Sequence, residues 1–433
     1  MNIAMFTNTF TPHVGGVARS VQGLTDELRR LGHRVLVVAP RFSDLDEDEA
    51  GVLRMPAVQN FNGSDFSLPV PAPIKVSHAV KDFRPDIIHS HHPFLLGDTA
   101  LRIAATCNVP VVFTHHTRYE QYTHYLPGGD SEPLKHFVID LVNGYCNLCN
   151  TVVAPSLSIA EMLRTQEVQT PIEVIPTGID PLYFTDSEAG PIRRRLGIPE
   201  ECFVVGHVGR LAPEKNLRFL VRCVGEYLLR NPNARFLLVG EGPAREEMLD
   251  TLGSQGLMDR THLLGILDHQ KLADAYRCMD VFVFASQSET QGMVLAEAMA
   301  AETPVVALDA SGVREIVVDG VNGRLLPVED IGRFVEALSW LAGMPREERA
   351  RLRQSARRTA EEFSQENCVR KMLGLYGKLA GSETSLLELD DSGWQWARNR
   401  IMKEIEILSK YGHAIEDTLR WLPLRKKSSD AEH

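Results

Sequence analysis

The sequence predicts an α/β protein with two consecutive parallel-sheet domains, followed by a C-terminal helical extension. Short apolar runs typical of buried strands alternate with amphipathic helical segments, which is the pattern of βαβ units. This alternation of strand and helix patterns begins again after a proline–glycine break at residues 176–178. A chain of 433 residues is long enough for two domains that each bury a core.

The first βαβ unit lies at the N-terminus. Residues 3–6 and residues 34–40 are apolar runs, so both are predicted strands. Between them, apolar residues recur at helical spacing until Gly32 ends the pattern, namely Val17, Val21, Leu24, Leu28 and Leu31. Gly15 and Gly16 stand where the first strand gives way to this helix. Two glycines fit either a close approach of the backbone to an anionic ligand or an ordinary tight turn.

Further apolar runs place the remaining strands and the domain boundaries. The predicted strands lie at residues 86–90, 111–116 and 151–156, and then at 203–211, 235–243, 262–267, 281–286 and 304–310. We assign residues 1–176 to an N-terminal domain and residues 177–363 to a C-terminal domain. Residues 364–381 are predicted to form a helix that crosses back to the first domain, and residues 382–433 a linker and an amphipathic helical tail.

The composition argues against several classes of protein. A formal net charge of −11 disfavours a nucleic-acid partner, and no apolar run is long enough to span a bilayer. The sequence starts without a signal-peptide pattern and its seven cysteines are scattered, so we expect reduced thiols in the cytoplasm. Cys146 and Cys149 form a lone C-x-x-C in an apolar helical stretch, which favours core packing over a redox or zinc site.

The second domain carries a set of residues suited to binding a diphosphate. Arg210 and Lys215 lie in one loop directly after a predicted strand, so two cations can neutralise one ligand. Gly242 belongs to a glycine turn after the next strand, and residues 288–292 precede an alanine-rich helix whose first N–H groups can bind an anion. All three pieces are expected at the carboxyl ends of parallel strands, where open α/β sheets bind ligands.

Two carboxylates flank the start of the alanine-rich helix. Glu289 and Glu297 are separated by seven residues, so they do not fall on one line along a helix and can contact different parts of a ligand. Each piece alone also fits a plain explanation as a surface charge or a tight turn. The combination in this order favours a diphosphate site.

Three segments of the second domain, "GRLAPEKN", "VGEGP" and "SETQGMVLAEAMA", resemble glycosyltransferase family 4. The "GGVAR" loop and the break "PTGID" fit the same family, and the resemblance covers residues 1 to 380. It implies the GT-B fold, in which two Rossmann-like domains face a central cleft, and retaining transfer from a nucleotide-sugar. Gln291 departs from the family pattern, which usually has Phe at this position beside the donor sugar.

The resemblance also implies the roles of individual residues. Arg210 and Lys215 would bind the donor diphosphate, Glu289 the hydroxyls of the donor sugar and Glu297 the ribose. The implied donor-binding residues are Gly15, Gly16, Arg210, Lys215, Gly242, Gly292, Met293, Val294 and Glu297, and the implied catalytic residues are His116, Glu289, Arg210 and Lys215. No metal or other cofactor is expected beside the nucleotide-sugar, since cations and helix ends stabilise the leaving diphosphate.

A second resemblance concerns the acceptor. The segment "HTRYEQYTHY", residues 116–125, is similar to one in bacterial diacylglycerol glucosyltransferases. It implies that His116 lies against the donor sugar and that Tyr119, Tyr122 and Tyr125 line an acceptor region. The implied reaction moves a hexose, with UDP-glucose favoured, to a lipid such as diacylglycerol at the inner face of the cytoplasmic membrane. The alternatives are the same chemistry on a soluble sugar or polysaccharide, and a non-catalytic binding protein on this fold.

Two further features leave alternatives open. Six histidines between residues 89 and 124 allow a zinc site, although packed or hydrogen-bonded rings are the expectation for all but His116. In the tail, residues 394–427 carry eight basic and four acidic side chains, a formal charge of +4. They surround an apolar helical stripe formed by Trp394, Ile401, Ile405, Leu408, Ile415, Leu419 and Leu422. The stripe fits an anionic membrane surface or packing on the body of the protein or in an oligomer.

Overall fold

The computed structural model has the predicted two-domain α/β architecture. It describes residues 1–13, 15–42, 49–58, 68–70, 73–125, 131–185, 187–381, 402–411 and 413–414. Within these residues the chain forms a seven-stranded sheet, a six-stranded sheet and one pair of short strands. No helix in this part of the chain is long and apolar enough to cross a membrane.

The first domain is a parallel sheet with helices on both faces. Its strands are β1 (Asn2–Phe6), β2 (Arg34–Pro40), β3 (Val52–Met55), β6 (Ile87–Ser90), β7 (Val111–Thr114), β8 (Thr151–Ala154) and β9 (Ile172–Val174), with a small antiparallel pair β4 (Ala57–Val58) and β5 (Leu68–Pro69). The spatial order is β3-β2-β1-β6-β7-β8-β9, with parallel pairing throughout. The helices are α1 (Gly16–Arg30), α2 (Pro73–Phe83), α3 (Leu96–Cys107), α4 (Glu132–Asn147) and α5 (Leu157–Thr165), and a 3₁₀ helix spans Tyr119–Tyr125.

The N-terminal βαβ unit follows the sequence pattern closely. α1 buries Val21, Leu24 and Leu28 against the sheet, as their helical spacing predicts. Gly32 follows the end of the helix with φ of 85°, a conformation that favours glycine. β2 then begins two residues later, as predicted.

The second domain repeats this architecture. Its strands are β10 (Phe203–Val208), β11 (Ala234–Val239), β12 (Thr261–Leu263), β13 (Val281–Phe284), β14 (Val305–Leu308) and β15 (Gly323–Leu326), in the spatial order β12-β11-β10-β13-β14-β15, all parallel. The helices are α6 (Leu182–Thr185), α7 (Ala189–Arg195), α8 (Leu217–Arg230), α9 (Arg245–Ser254), α10 (His269–Cys278), α11 (Met293–Ala300), α12 (Ile331–Ala342) and α13 (Arg346–Glu362). Two 3₁₀ helices span Pro213–Lys215 and Met258–Arg260.

Buried apolar clusters cover both faces of each sheet. Cys146 and Cys149 belong to one of the clusters of the first domain. All seven cysteines are free thiols, and six of them are buried. The C-x-x-C therefore serves core packing, as its apolar surroundings predict.

Two chain segments cross between the domains side by side. The N–H group of Ile179 donates to the carbonyl oxygen of Phe363 at 2.9 Å, and the N–H group of Gln365 donates to the carbonyl oxygen of Ile179 at 2.6 Å. The next helix, α14 (Gln365–Ala380), then packs on the first domain, where it shares a cluster with Ile3 and other residues of the sheet. The connection between the domains is thus a pair of hydrogen-bonded segments rather than a single strand of chain.

Part of the tail also packs on the first domain. Residues 402–411 are helical, and Ile407 is buried in the core of that domain. Arg102 of α3 forms an ion pair with Glu404 at 2.7 Å. Packing on the body, one of the two alternatives for the tail, is therefore observed for this segment. The remaining residues of the predicted stripe lie outside the described part of the chain, namely Trp394, Ile401, Ile415, Leu419 and Leu422.

A buried ion pair anchors the same segment. The ammonium nitrogen of Lys410 lies 2.8 Å from Oδ1 of Asp98, and both side chains are buried. The hydroxyl of Tyr411 donates to the other carboxylate oxygen of Asp98 at 2.6 Å. Burial lowers the pKa of Lys410, and the adjacent carboxylate opposes that shift. On the opposite side of the helix, Ile405 and Leu408 of the predicted stripe are exposed.

Candidate active site between the two domains

Each sheet has a point where the strand order reverses, and the loops at these two points meet in the crevice between the domains. In the first domain the reversal lies between β1 and β6, and in the second between β10 and β13. Ligands of open α/β sheets bind at such points, beyond the carboxyl ends of the strands. The loops that follow these four strands carry most of the residues singled out from the sequence.

The loop after β10 brings a cation to a carboxylate. Lys215 ends the short 3₁₀ helix, and its ammonium nitrogen lies 2.5 Å from Oε1 of Glu289 in the loop after β13. Their side chains are only 20% and 15% exposed. Burial lowers the pKa of Lys215, but the charge of Glu289 and the other acidic neighbours outweighs it, so the pKa is raised. Lys215 is therefore a cation at neutral pH.

Tyr122, from the first domain, interacts electrostatically with the Lys215–Glu289 pair of the second domain. Burial raises the pKa of Tyr122, while the charge of Lys215 opposes the shift and that of Glu289 adds to it. Arg210 also acts on the Tyr122 hydroxyl with its positive charge, although its own side chain is exposed. A tyrosine from the predicted acceptor segment thus lies within electrostatic reach of both predicted diphosphate-binding cations.

The start of α11 is shaped to present backbone N–H groups. Gly292 precedes the helix with φ of 72° and ψ of 53°, a left-handed conformation that favours glycine. Met293 and Val294 are the first two residues of the helix, so their N–H groups have no acceptor within it. These are the groups expected to hydrogen-bond an anion at this end of the helix.

Glu297 lies one turn further along α11 and is buried. Its Oε2 accepts a hydrogen bond from the hydroxyl of Tyr276 at 2.7 Å. Arg19, from α1 of the first domain, lies 4.0 Å from Oε1. Glu289 and Glu297 therefore contact different protein groups, and their contact with different parts of one ligand stays a prediction.

Gly242 supports the loop that carries the cations. A Cβ atom at this position would overlap the carbonyl group of Leu211, so the backbones of the two loops pack directly on one another. Hydrogen bonds join them, from the N–H of Leu211 to the carbonyl of Glu241 at 2.9 Å and from the N–H of Ala244 to the carbonyl of Leu211 at 2.8 Å. The structure thus gives Gly242 a part in holding the loop between Arg210 and Lys215.

His116 is partly exposed and is hydrogen-bonded to the buried His91. Its Nε2 lies 2.9 Å from Nδ1 of His91, in the loop after β6. Burial lowers the pKa of both rings well below the usual value, and the neighbouring histidines lower it further. Both rings are therefore neutral, so one ring donates an N–H to the bare nitrogen of the other.

Helix α14 contributes to the same group of histidines. Nδ1 of His89 lies 2.6 Å from the hydroxyl of Tyr376 on α14, and Nε2 lies 2.7 Å from the hydroxyl of Thr114. The ring of His89 is 4.1 Å from that of His91 between centroids. Among the described residues, no group of three or more His, Cys, Asp and Glu side chains is arranged to hold a metal ion.

The other predicted site residues of the first domain lie in different surroundings. Gly15 is the N-cap residue of α1, and a Cβ atom at Gly16 would meet no atom within 4 Å, so the glycine loop borders open space. Tyr119 packs edge-on against Phe94 with centroids 5.3 Å apart, at the margin of the first-domain core. The backbone of Tyr125 ends the 3₁₀ helix, and its side chain lies outside the described part of the chain.

Direct hydrogen bonds between the domains were not predicted from the sequence. The hydroxyl of Thr290 donates to the carbonyl oxygen of His116 at 2.9 Å. Glu315 accepts from the N–H of Ser158 at 2.8 Å and from its hydroxyl at 2.5 Å, at the start of α5. Thr290 lies in the sequence motif directly after Glu289. The motif predicts where Thr290 lies in the loop, but it does not predict the hydrogen bond to the carbonyl of His116.

Comparison with known proteins decides the family. The family model "Glycosyltransferase Family 4" matches residues 14–182, and "Glycosyl transferases group 1" matches residues 189–359. The GDP-mannose-dependent alpha-mannosyltransferase of Mycobacterium tuberculosis is 30% identical over 394 residues, which are 89% of this chain and 98% of that protein. The chain belongs to glycosyltransferase family 4. It is a glycosyltransferase that uses a nucleotide-sugar donor.

Other similar proteins of this family point to related reactions. The alpha-monoglucosyldiacylglycerol synthase of Streptococcus pneumoniae is 29% identical over 346 residues, which are 78% of each chain. The synthase of the same name from Acholeplasma laidlawii is 29% identical over 75% of this chain and 84% of its own.

Solved structures confirm the GT-B fold of the glycosyltransferase. The sucrose-phosphate synthase of Thermosynechococcus elongatus matches with a TM-score of 0.71 at 22% identity, over 87% of this chain and 98% of its own. HepE of Anabaena, solved in complex with UDP, matches with a TM-score of 0.70 at 20% identity, over 88% of this chain and 100% of its own. The alternative of a non-catalytic binding protein is set aside, because the curated relatives are glycosyltransferases.

Proposed function

We propose that the glycosyltransferase moves glucose from UDP-glucose to diacylglycerol or a similar lipid, with retention of the anomeric configuration. The bond from the anomeric carbon to the diphosphate breaks, and a bond from that carbon to the acceptor oxygen forms. The proton of the acceptor hydroxyl leaves with a phosphate oxygen of the departing UDP, so no protein base takes it up. We propose no metal or other cofactor for this step.

The proposed donor site uses the residues that converge at the crevice. Lys215 and Arg210 bind the diphosphate together with the first N–H groups of α11, which stabilise the charge that develops on the leaving group. Glu289 binds hydroxyls of the donor sugar, and Glu297 binds the ribose. His116 contacts the donor sugar from the other domain.

The observation that carries the lipid proposal is the placement of the segment 116–122. Its first residue is hydrogen-bonded through its carbonyl to Thr290, and the charges of Lys215 and Glu289 both act on the pKa of Tyr122. The segment that resembles diacylglycerol glucosyltransferases therefore faces the proposed donor site. The similarity to two alpha-monoglucosyldiacylglycerol synthases, at 29% identity, supports the same acceptor.

The tail supplies a proposed membrane contact. Met402, Ile405 and Leu408 are 51%, 56% and 62% exposed on the side of the tail helix that faces away from the protein. An exposed apolar face of this kind can enter the boundary between head groups and acyl chains of an anionic bilayer. In this proposal the helix holds the first domain, with its acceptor segment, at the lipid surface.

The test is a transfer assay with defined substrates. The protein is incubated with UDP-glucose and liposomes that contain diacylglycerol. The lipid extract is examined by mass spectrometry for the product and by proton NMR for its anomeric configuration. We expect a glucosylated lipid whose anomeric configuration is α, and its loss in Glu289→Gln but not in the exposed control Glu336→Gln. A protein that makes no glycolipid with UDP-glucose contradicts the proposed donor and acceptor.

A soluble acceptor is the second candidate. It is favoured by the similarity to a D-inositol 3-phosphate glycosyltransferase of Stackebrandtia nassauensis, 32% identical over 67% of this chain. The similarity to a GDP-mannose-dependent alpha-mannosyltransferase favours testing a second donor. GDP-mannose and soluble sugar acceptors are therefore run in parallel. The double variant Ile405→Ser, Leu408→Ser separates the two candidates, because it should abolish liposome flotation and lipid transfer but leave transfer to a soluble acceptor unchanged.

A further inference from the structure

Gln291 pairs with the chain segment that connects the two domains. Its side-chain Oε1 accepts a hydrogen bond from the N–H of Thr177 at 2.5 Å, and its Nε2 donates to the carbonyl oxygen of Thr177 at 2.7 Å. The side chain is buried, with 4% of Gln291 exposed. One amide thus satisfies both backbone groups of a residue in the connection between the domains.

The pairing requires both ends of an amide. A primary amide offers a donor and an acceptor side by side, whereas a carboxylate offers only acceptors and an apolar side chain offers neither. Loss of either end leaves a buried backbone group of Thr177 without its partner, which is costly. The departure from the family pattern at this position therefore has a specific structural consequence in this chain.

Thr177 lies at the place where both crossing segments meet. Two residues later, Ile179 pairs with Phe363 and Gln365 of the second crossing segment. A Cβ atom at Gly178 would lie 2.5 Å from Cα of Gln365, so the two segments are in direct contact here. Gln291 consequently holds the point about which one domain would turn against the other.

The neighbour of Gln291 contacts the first domain itself. Thr290 donates its hydroxyl hydrogen to the carbonyl oxygen of His116. Thr290 and Gln291 follow Glu289 directly and precede Gly292, so they share the loop that reaches the proposed donor. A single loop therefore joins three places, namely the donor site, the histidine of the other domain and the connection between the domains.

We propose that Thr290 and Gln291 form an interdomain clasp that couples occupancy of the donor loop to the position of His116 and to closure of the crevice. They are positioning residues, since their bonds go to backbone groups of His116 and Thr177 rather than to reacting atoms. The inference rests on the proposed roles of Glu289 and His116 at the donor.

The test compares variants that remove the clasp with variants that keep it. Gln291→Met and Thr290→Val remove the hydrogen bonds at nearly constant volume, Gln291→Glu keeps only the acceptors, and Thr290→Ser keeps the hydroxyl. The readouts are kcat and the KM for UDP-glucose with diacylglycerol liposomes, the affinity for UDP by calorimetry, and small-angle scattering with and without UDP.

We expect a fall in kcat of about tenfold in Gln291→Met and Thr290→Val, the size of effect that follows from losing one or two buried hydrogen bonds. Thr290→Ser should restore activity, and UDP affinity should stay within about threefold of the unaltered protein because the proposed diphosphate ligands are retained. Without UDP, Gln291→Met should have a larger radius of gyration than the unaltered protein.

Unchanged kcat and unchanged scattering in both disruptive variants overturn the clasp. If Gln291→Met does not fold, the pair Thr290→Val and Thr290→Ser decides alone, because Thr290 is only half-buried. Failure of the donor site itself is recognised separately, since then Lys215→Ala also leaves UDP binding unchanged and Glu289→Gln also leaves transfer unchanged.

Discussion

The ammonium group of Lys215 and the carboxylate of Glu289 form a 2.5 Å ion pair between the loops after β10 and β13. The two residues are proposed to bind neighbouring parts of the donor, Lys215 the diphosphate and Glu289 the sugar. A donor that binds between them must therefore exchange this contact for two of its own. The pair holds both side chains between the two loops where the diphosphate and the sugar of the donor are proposed to bind, which would be a form of preorganisation.

Glu289→Gln should separate nucleotide binding from transfer. The amide does not neutralise Lys215, so the ammonium group is more available to a diphosphate, and we expect the affinity for UDP to be unchanged or higher. Transfer should fall by about a hundredfold, since a charged hydrogen-bond acceptor for the sugar is lost. Calorimetry with UDP and the lipid transfer assay measure the two effects. Equal losses of both would mean that Glu289 only shapes the nucleotide site.

Glu297→Gln should weaken the binding of UDP, and only through the loss of its contact with the ribose hydroxyls. A hydrogen bond from a hydroxyl to a carboxylate contributes about 1.5–3 kcal/mol, so we expect UDP to bind about 10- to 100-fold more weakly. A UDP analogue without the 2′ and 3′ hydroxyls should bind the variant and the unaltered protein equally. A variant that loses affinity for the analogue as well would place Glu297 elsewhere in the site.

Tyr276→Phe tests whether the hydrogen bond from the Tyr276 hydroxyl positions the carboxylate of Glu297. The Tyr276 hydroxyl donates to Oε2 of Glu297 and is fully buried, so its removal leaves one carboxylate oxygen without that donor. We expect a smaller loss of UDP affinity than in Glu297→Gln, and none for the analogue that lacks ribose hydroxyls. An affinity for UDP equal to that of the unaltered protein would assign Tyr276 to packing only.

Lys410→Met should destabilise the protein, because Lys410 forms a buried ion pair with Asp98. It leaves the buried carboxylate of Asp98 without its ammonium partner, and breaking a buried ion pair in this way costs about 3–5 kcal/mol. The double variant Lys410→Met, Asp98→Asn should recover part of this loss, because it leaves no unpaired buried charge. Urea denaturation measures the free energy of unfolding of each variant.

The control for this series is an exposed ion pair on α14. Arg370 and Glu366 lie 2.7 Å apart with 67% and 64% of their side chains exposed, so Arg370→Met should change stability little. If Lys410→Met behaves like Arg370→Met, the tail segment does not depend on this anchor.

Buried neutral histidines should make stability fall in acid. Burial lowers the pKa of His115 and of His207 to about 4 in the folded protein, whereas an unfolded histidine titrates near about 6.5. Below that pH the unfolded chain binds protons that the folded protein does not, so the free energy of unfolding decreases as the pH falls from about 6.5 towards about 4. Each such group contributes a slope of at most about 1.4 kcal/mol per pH unit.

His207→Asn isolates one of these groups. The variant should show a shallower decline of the free energy of unfolding between pH 6.5 and pH 5 than the unaltered protein. His78→Asn, at an exposed position, should leave the decline as it is. Urea titrations at each pH provide the comparison, and equal slopes in His207→Asn and the unaltered protein would refute the assignment.

The fold could be predicted from the sequence wherever its signals are local. β1, α1 and β2 lie within one residue of the predicted limits, because their apolar runs, helical spacing and terminal glycine are contiguous. The short edge strand β15, Gly323–Leu326, was not predicted, since half of its residues are only partly buried and give little apolar signal.

The site was predicted as a set of residues but not as a set of contacts. The motif placed Glu289 near Lys215, while the partners of Thr290 and Gln291 are separated from them by more than a hundred residues. The tail shows the same limit. Its apolar helical stripe was predicted from the spacing of its residues. The burial of Lys410 was not predicted, because its partner Asp98 is 312 residues away in the sequence.

The most direct test of the account is calorimetric titration of UDP into the unaltered protein, Lys215→Ala and Lys271→Ala. Lys271 is a surface lysine with 57% of its side chain exposed, and it serves as the matched control. The account predicts that Lys215→Ala binds UDP at least about tenfold more weakly, because the diphosphate loses a charged partner, and that Lys271→Ala binds it as the unaltered protein does. Equal affinity of all three proteins would contradict the proposal that the crevice binds the donor diphosphate through Lys215.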